Sequence, residues 1–352
     1  MNKREFLDEL CRRLRYASVD EAQRLVAFVT ESIDDRIEEG MTEEEAVAAV
    51  GSIDDLVREV SGEAKVETFT DEVAVKGAHR KDYVVSADGV ETIEVTEGGG
   101  DVNFRVSRDD KIHVHVTESE RQRYIVTKKN GVVSVTKEQL GGKDINFGFG
   151  LFVFRADFNN NTDVIVDVPE NLRAAIDCKT GSGDVGYSLR SALSVSLTTG
   201  SGDIDVDSCA VGGRAELKTG SGDINVDELM AESIEITAAS GDADLKSVTA
   251  KALKLSAISG DIEIDEAFIA DKAVVKSVSG DVNLCMASPL KVGSFESVSG
   301  DLDIELYGHG EEYSVSAKSV SGDVDAPADN PEAPNAVRAR TTSGDIRIEI
   351  AK

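Results

Sequence analysis

The tripeptide Ser-Gly-Asp recurs nine times in the second half of the chain, each time followed by an aliphatic residue. Successive copies are 19, 20, 19, 19, 20, 20, 22 and 22 residues apart. A repeat at a nearly constant step predicts a stack of similar structural units. The aspartates are Asp184, Asp203, Asp223, Asp242, Asp261, Asp281, Asp301, Asp323 and Asp345. Asp101, in GGGDVNF, fits as a degenerate earlier copy.

Aliphatic residues flank each aspartate with a change of parity. They stand eight and six residues before it, and one and three residues after it. Neighbouring side chains of a strand point to opposite faces, so this change requires a bend, and glycine permits a bend that other residues resist. The predicted corner glycines are Gly183, Gly202, Gly222, Gly241, Gly260, Gly280, Gly300, Gly322 and Gly344.

These features predict a β-solenoid (β-helix) with coils of about 20 residues, stacked about 4.8 Å apart. The alternative is an antiparallel β-sandwich with Ser-Gly-Asp at hairpin tips. A phenylalanine-rich segment, 145–158, is predicted to form a hairpin over the first coils, or else an exposed apolar contact site. The last coil is predicted to form the far edge of the stack, guarded against strand addition by Arg347, Glu349 and Lys352.

Residues 1–62 have the period of amphipathic helices instead. Ser18 with Glu21 and Thr42 with Glu45 are spaced as capping boxes, and Gly40 and Gly51 are suited to end helices. Four helices are predicted, two of them short. The predicted domains are therefore a helical head, 1–62, a linker, 63–78, and a β-strand-repeat solenoid, 79–352.

The net charge of −29 disfavours direct binding to nucleic acid, which needs a basic surface. The aspartates and the positions two and four after them hold 19 acids, opposed only by Lys246 and Arg347. The outward positions seven and five before them hold seven bases and four acids, so one face is acidic and another mildly basic. The seven bases are Lys179, Lys218, Lys254, Lys276, Lys318, Arg338 and Arg340.

The acidic face is interpreted first as a solvated surface, then as a docking face for a basic partner, and last as a weak array of divalent-cation sites. The column of aspartates is expected to be stable without a metal if turn N–H groups donate hydrogen bonds to it, because such bonds offset the repulsion between neighbouring carboxylates. The candidate cation ladder consists of Asp203, Asp205, Asp223, Asp261, Glu263, Asp301 and Asp303.

Other chemistry-bearing residues are scattered. His113 and His115 share one face of a strand without a third ligand, which favours ordinary strand residues over a metal site. Cys178 lies in an inward column and is expected to be a core thiol, and the four cysteines lack disulfide or zinc spacing. No G-x-S-x-G, P-loop or dinucleotide motif occurs, so neither an enzyme nor a cofactor is predicted.

The compartment follows from three expectations. Residues 1–16 carry charges throughout and have no apolar core of a signal peptide. No apolar run reaches the length of a membrane span, and the thiols are expected to stay reduced. A cytoplasmic protein is predicted, with export by an unconventional route left open.

Two segments resemble known families. Residues 1–62, above all DDRIEEGMTEEEAVAAVGS (34–52), resemble the bacterial HAAS domain, a helix-turn-helix-associated α-helical signalling domain. The remaining chain, with VIVDVPENL and the Ser-Gly-Asp coils, resembles a putative-adhesin β-strand-repeat family of unknown function. The first resemblance implies a role in signalling from the envelope and a partner such as a PadR-type regulator or an envelope protein. Neither resemblance implies catalytic residues.

The function predicted from these observations is that of a non-enzymatic signalling scaffold. Its helical head would bind a regulator or a membrane-associated partner, and its acidic solenoid would bind a ligand or a protein. The alternative is a surface adhesin or ligand-binding β-helix protein.

Overall fold

The computed structural model describes residues 2–14, 19–38, 40–53, 56, 67–72, 78–119, 122–139, 146–149, 152–155 and 164–351. The chain separates into two compact units. One comprises residues 1–66 and 127–133, and the other comprises residues 67–126 and 134–352.

Among its described residues, the first unit contains the three helices α1 (Lys3–Arg13), α2 (Val19–Glu38) and α3 (Glu43–Val50). Asn2 caps α1 in a capping box with Glu5, which was not predicted. The predicted box of Thr42 and Glu45 caps α3 and is confirmed. These caps satisfy backbone N–H groups that a helix start leaves without partners.

Glycines end two of these helices, as predicted. Gly40 has a φ of 102° and follows α2, with bonds from the Gly40 and Met41 N–H groups to the last turn. Gly51 has a φ of 103° after α3. The predicted Ser18–Glu21 box lies outside the described residues, as does most of the predicted fourth helix. The apolar faces form one core, made of Phe6, Leu10, Leu14, Leu25, Val29, Ile33, Ala46, Val47, Ile53 and Leu56.

The described part of residues 67–139 contains seven strands, of which the sixth and seventh include the segment 127–133 that is grouped with the first unit. They are β1 (Glu67–Glu72), β2 (Ala78–Ser86), β3 (Thr92–Glu97), β4 (Val102–Val106), β5 (Lys111–Ser119), β6 (Gln122–Lys129) and β7 (Val132–Gln139). The pairs β1–β2, β2–β5 and β5–β6 are antiparallel. Residues 67–72, assigned to the linker by sequence, thus form a strand, because ETFTDE pairs residue by residue with β2.

The phenylalanine-rich segment contains an antiparallel hairpin of β8 (Asn146–Phe149) and β9 (Phe152–Arg155). This hairpin forms a two-stranded sheet of its own. That the hairpin covers the first coils stays a prediction, because its side chains lie outside the described part of the chain.

The remaining strands build the solenoid. They are β10 (Val164–Val168), β11 (Ala175–Thr180), β12 (Val185–Tyr187), β13 (Ser191–Ala192), β14 (Ser194–Thr199), β15 (Ile204–Val211), β16 (Arg214–Thr219), β17 (Ile224–Met230), β18 (Ser233–Ser240), β19 (Ala243–Ser259), β20 (Ile262–Lys276), β21 (Val282–Met286), β22 (Val292–Glu296), β23 (Leu302–Tyr307), β24 (Tyr313–Ser321), β25 (Val324–Asp325), β26 (Asn335–Ser343) and β27 (Ile346–Ala351). A short 3-10 turn, Gly310–Glu312, precedes β24.

Equivalent strands of successive coils pair in parallel and in register. Leu217 of β16, for example, pairs with Leu197 of β14 and with Ile236 of β18. The predicted β-solenoid is therefore confirmed, and the antiparallel sandwich is wrong. Asp101 also belongs to the stack, because β3 pairs in parallel with β11 and β4 with β12.

Each regular coil has three short sides, as the burial of β19 shows. Ala243 and Leu245 are buried on the first side, Val248 and Ala250 on the second, and the alternation resumes at Leu253. Two consecutive residues that are not buried separate the first side from the second (246–247) and the second from the third (251–252), and each pair changes the parity as the predicted Ser-Gly-Asp corner does. The two additional corners lack a fixed motif and were not predicted.

The last coil in sequence is not the last in space. Strand β26 lies between β22 and β24, and β27 lies between β23 and β25, all in parallel. The predicted edge at Arg347 is therefore wrong, and the end of the stack is the coil of β24 and β25. Lys352 lies outside the described residues.

Two longer connections allow this insertion. The steps to Asp323 and Asp345 are 22 residues, and 326–334 contains three of the five prolines of the chain. The first connection skips one position in the stack, and the second returns to fill it. Arg347 then lies between Asp303 and Asp325, where it separates two carboxylates that would otherwise be neighbours.

Candidate functional site

The corner aspartates form a continuous hydrogen-bonded column, called here the aspartate ladder. The Oδ1 atom of each aspartate accepts a bond from the backbone N–H of the next, at 2.7 to 3.0 Å. In spatial order the ladder runs through Asp101, Asp184, Asp203, Asp223, Asp242, Asp261, Asp281, Asp301, Asp345 and Asp323. The aspartate is thus the hydrogen-bond acceptor that joins one corner to the next.

Glycine is required before the nine Ser-Gly-Asp aspartates of the ladder by one or both of two constraints. Seven of the nine corner glycines have a φ between 133° and 156°, which residues with a Cβ rarely adopt; they are Gly222, Gly241, Gly260, Gly280, Gly300, Gly322 and Gly344. At all nine, an added Cβ would lie 2.0 to 2.3 Å from a carbonyl oxygen of the adjacent corner. Gly183 and Gly202 share this second constraint.

The acidic face consists of the ladder and the outward columns two and four residues after it. Asp205 accepts a bond from Asn225 at 2.9 Å, and Lys246 lies 2.6 Å from Asp227. The predicted cation ladder is divided between these columns, with Asp203, Asp223, Asp261 and Asp301 in the aspartate ladder and Asp205, Glu263 and Asp303 two residues further on.

The acidic face brings together no compact ligand set. Within the described ranges, no group of three or more His, Cys, Asp or Glu side chains is placed to hold a metal ion. One oxygen of every ladder carboxylate except the terminal Asp323 already accepts an N–H bond. A cation ladder accordingly stays a prediction, without a built site to support it.

The predicted basic face pairs its charges internally over most of its length. Lys179, Lys254 and Lys276 each lie 2.8 Å from a carboxylate of the same face, and Lys218 pairs with Glu216. At the end of the stack Lys318, Arg338 and Arg340 are exposed, and no ion pair is found for them among the residues described. On this face, the bases for which no ion pair is found among the described residues are therefore concentrated in the last two coils.

His113 and His115 lie on the outward face of β5, beside acids rather than in a metal site. The ring of His115 is 2.6 Å from Asp82 and 3.3 Å from Asp167, which also pairs with Arg105 at 2.9 Å. Burial acts to raise the pKa of Asp82, but hydrogen bonds from His115 and Arg80 outweigh it and lower that pKa. The arrangement ties β2, β5, β10 and β4 together through their side chains.

Two buried carboxylates near the start of the solenoid were not predicted. Glu97 is 2% exposed and binds Lys137 and the Tyr124 hydroxyl at 2.6 Å each, as well as two glycine N–H groups. Glu118 is also buried and accepts a bond from the Tyr83 hydroxyl. Glu97 stands four residues before Asp101, a position that serine, threonine or alanine fills elsewhere, so alignment of the degenerate copy would have marked it.

The cysteines behave as core residues. Cys178 is fully buried, as predicted, and burial raises the pKa of its thiol strongly. Burial also raises the pKa of Cys209 to about 11. Cys178, Cys209 and Cys285 are free thiols, and Cys11 falls outside the described side chains.

A compact helical unit together with a parallel β-solenoid whose corners are joined by an aspartate ladder defines a two-part repeat protein. Residues 90–293, more than half of the chain, match the model of the Toastrack DUF4097 family, and the chain belongs to this family. Residues 5–59 match the HAAS family, which confirms the predicted resemblance. No helix in the described parts of the chain is long and apolar enough to cross a membrane.

Three solved structures are similar in part. A putative adhesin from Bacteroides fragilis is 14% identical, with a TM-score of 0.41, over 81% of this chain and 97% of its own. A putative adhesin from Parabacteroides merdae is 14% identical, with a TM-score of 0.39, over 82% and 97%. A putative cell adhesion protein from Clostridium sporogenes is 12% identical, with a TM-score of 0.20, over 82% and 100%. No curated protein matches.

Proposed function

We propose that this chain is a non-enzymatic signalling scaffold, in which a HAAS-type head, 1–62, binds a protein and the solenoid, 79–352, presents a rigid binding surface. The observation that carries the proposal is the combination of a HAAS match and a Toastrack match in one chain. The first contributes the expected link to a regulator, and the second contributes a repeat surface.

The polar groups of the solenoid support a scaffold. Its corner aspartates repeat from coil to coil and accept backbone hydrogen bonds within the stack. A catalytic group, in contrast, is usually unique in its environment and has a perturbed pKa that suits its task. A surface that repeats in this way is suited to bind an extended or repetitive partner over several coils.

The head exposes large apolar side chains, and Phe28 is the one proposed as the contact for a partner. Phe28 is 64% exposed on α2, and Ile37 and Met41 are 37% and 42% exposed near its end. Aromatic and aliphatic side chains at such positions are typical of protein contacts. The partner proposed for it is a PadR-type regulator or an envelope protein, as the HAAS resemblance implies.

Affinity purification from the native cells, with the full chain as bait, tests this function. The variants are Phe28→Asp in the head and a pair on the acidic face, Glu263→Gln with Asp303→Asn, which leave both cores intact. A PadR-type regulator or an envelope protein that the wild-type chain and the acidic-face variant retain, and Phe28→Asp loses, is the expected result.

Two results would contradict it. Retention of that regulator or envelope protein by Phe28→Asp would show that the head surface is not its binding site. Exclusive capture of glycans or of host surface proteins would favour an adhesin. Protease treatment of intact cells is an independent test, because a surface adhesin would be cleaved and a scaffold inside the cell would not.

A further inference from the structure

An exposed apolar column, called here the aliphatic stripe, runs beside the aspartate ladder over the last five coils. It occupies the position three residues before each ladder aspartate. Its members are, in spatial order, Ile258, Val278, Val298, Thr342 and Val320. Ile258, Val278 and Val298 are 55%, 47% and 51% exposed, and Val320 is 82% exposed.

The backbone holds these side chains in one straight row. The carbonyl groups of Ile258, Val278 and Val298 each accept a bond from the serine N–H of the following coil, at 2.9 to 3.0 Å. Thr342 and Val320 are neighbours because the residues on both sides of them pair in register. Coils about 4.8 Å apart make the stripe about 19 Å long.

The local geometry does not demand aliphatic residues here. The first three Ser-Gly-Asp coils have Gly181, Gly200 and Gly220 at this position, where an added Cβ would meet a carbonyl oxygen at 2.3 to 2.5 Å. Ala239 follows, and the aliphatic residues begin at Ile258. One exposed valine on a surface is ordinary, whereas three consecutive aliphatic residues in register, continued by the methyl-bearing Thr342 and by Val320, form a patch that is typical of an interface.

Opposite charges lie on the two sides of the stripe. Lys318 and Arg340 stand two residues before Val320 and Thr342 on the same outward face, with Arg338 beyond. On the other side, Asp323 and Asp345 of the ladder follow three residues later. The stripe is thus bordered by cations on one side and by carboxylates on the other, within the same two coils.

We propose that a second copy of this chain binds along the stripe, in a symmetric dimer with its two-fold axis parallel to the solenoid. A rotation about that axis places the cationic side of each copy opposite the carboxylate side of the other. It also brings each stripe residue against the same residue of the partner copy, as an isologous interface requires. A dimer with the solenoids antiparallel would oppose carboxylates to carboxylates, which costs free energy.

The patch is small for an interface. The stripe and one column on either side of it measure about 20 Å by about 20 Å, or about 400 Å² per copy and about 800 Å² in total, which is below the roughly 1,000 Å² of a stable specific interface and in the range of weak, transient contacts. The dimer is therefore expected to be reversible and to form at micromolar concentrations.

Sedimentation equilibrium of the full chain over about 1 to 100 μM tests the proposal. The wild-type chain is expected to dimerise reversibly, and Val278→Asp with Val298→Asp to raise the dissociation constant at least tenfold. Lys318→Glu with Arg340→Glu is expected to raise it as well. The matched controls are Leu193→Asp and Met230→Asp, which alter side chains that are 48% and 51% exposed outside the stripe. Each control should leave the dissociation constant unchanged.

Disulfide cross-linking determines the orientation, in a background with Cys285→Ser. In the parallel dimer Val320→Cys alone cross-links two copies, and so does Ile258→Cys alone. A chain that stays monomeric at 100 μM would overturn the proposal. So would a loss of affinity in the controls equal to that in the stripe variants, or a cross-link that forms only between Ile258→Cys and Val320→Cys.

Discussion

Replacement of one ladder aspartate separates its hydrogen bond from its charge. Asp261 accepts the N–H of Asp281 at 2.8 Å, and its own N–H donates to Asp242 at 2.8 Å. Asn keeps an oxygen acceptor and removes the charge, whereas Ala removes both. The difference in unfolding free energy between Asp261→Asn and Asp261→Ala therefore measures the hydrogen bond, and should be about 1 kcal/mol in favour of Asn.

The negative charge of Asp261 lowers the free energy of unfolding, whereas its hydrogen bond raises it. Each neighbouring carboxylate about 4.8 Å away repels Asp261 by about 1 kcal/mol in a water-like dielectric. Removal of the charge relieves two such repulsions but replaces a charge-assisted bond with a neutral one, which costs about 1 kcal/mol. Asp261→Asn is thus expected to be as stable as the wild type or up to about 1 kcal/mol more stable at low salt, and this gain should shrink as salt screens the ladder.

Chemical denaturation at low and high salt, with the midpoint and slope measured for each variant, checks both numbers. Asp265, an outward acid of the same coil outside the ladder, provides the control, because its Asn and Ala variants should unfold alike. Equal stability of Asp261→Asn and Asp261→Ala would refute the assigned role of the ladder bond.

Four further predictions follow from the same structure. Gly280→Ala should cost more than about 3 kcal/mol, because its φ is 141° and the added Cβ would lie 2.1 Å from a carbonyl oxygen, whereas Gly310→Ala meets nothing within 4 Å and should be nearly neutral. Glu97→Gln should cost about 3 kcal/mol or more in thermal or chemical unfolding, because it neutralises a fully buried carboxylate that lies 2.6 Å from the Lys137 ammonium, and Glu97→Gln with Lys137→Met should recover part of that loss. The lowered pKa of Asp82 stabilises the fold at pH values above its ordinary value near 3.8, and this contribution is lost as the pH falls through the lower folded-state pKa. The melting temperature should therefore fall less steeply below pH 4 in Asp82→Asn than in the wild type. Millimolar Ca²⁺ added after chelation should leave the melting temperature unchanged, because no three acids of the described residues are grouped to hold a cation and one oxygen of most ladder carboxylates already accepts an N–H bond.

Each of these predictions has an opposing result. Equal stability of the two glycine variants would mean that the corner tolerates a side chain. Full tolerance of Glu97→Gln would show that its buried ion pair contributes nothing. A steeper acid transition in Asp82→Asn would reverse the sign assigned to that carboxyl, and a rise of several degrees with Ca²⁺ would establish a cation site on the acidic face.

Much of the solenoid could be predicted from sequence because the repeat couples local geometry to burial in every coil. The parity change around Asp223 or Asp261 identifies a corner, since a strand cannot bury residues of both parities on one face. The two additional corners escaped prediction because exposed residues of many types fill them. The capping box of Thr42 was predictable for a similar reason, because a helix start has local hydrogen-bonding needs that few side chains meet.

The order of the coils could not be predicted from the motif. Strands β22, β24 and β26 have nearly the same inward pattern, so each fits beside either of the others. Only two features of the sequence indicate that the last coil is inserted between two earlier ones: the long connections and the single Arg347 in an acidic column. The structure explains the second, because Arg347 lies between Asp303 and Asp325.

The functional surfaces were likewise determined partly by the sequence and partly by the tertiary structure. The acidic and basic columns are properties of the repeat, and the sequence alone determined that they face outward. Only the tertiary structure decided that one oxygen of nearly every ladder aspartate is bonded, that most bases are paired, and that exposed aliphatic residues form one row beside opposite charges. The physical reason is that a one-dimensional pattern determines which face a side chain occupies, whereas its neighbours in space depend on the order and register in which the coils stack.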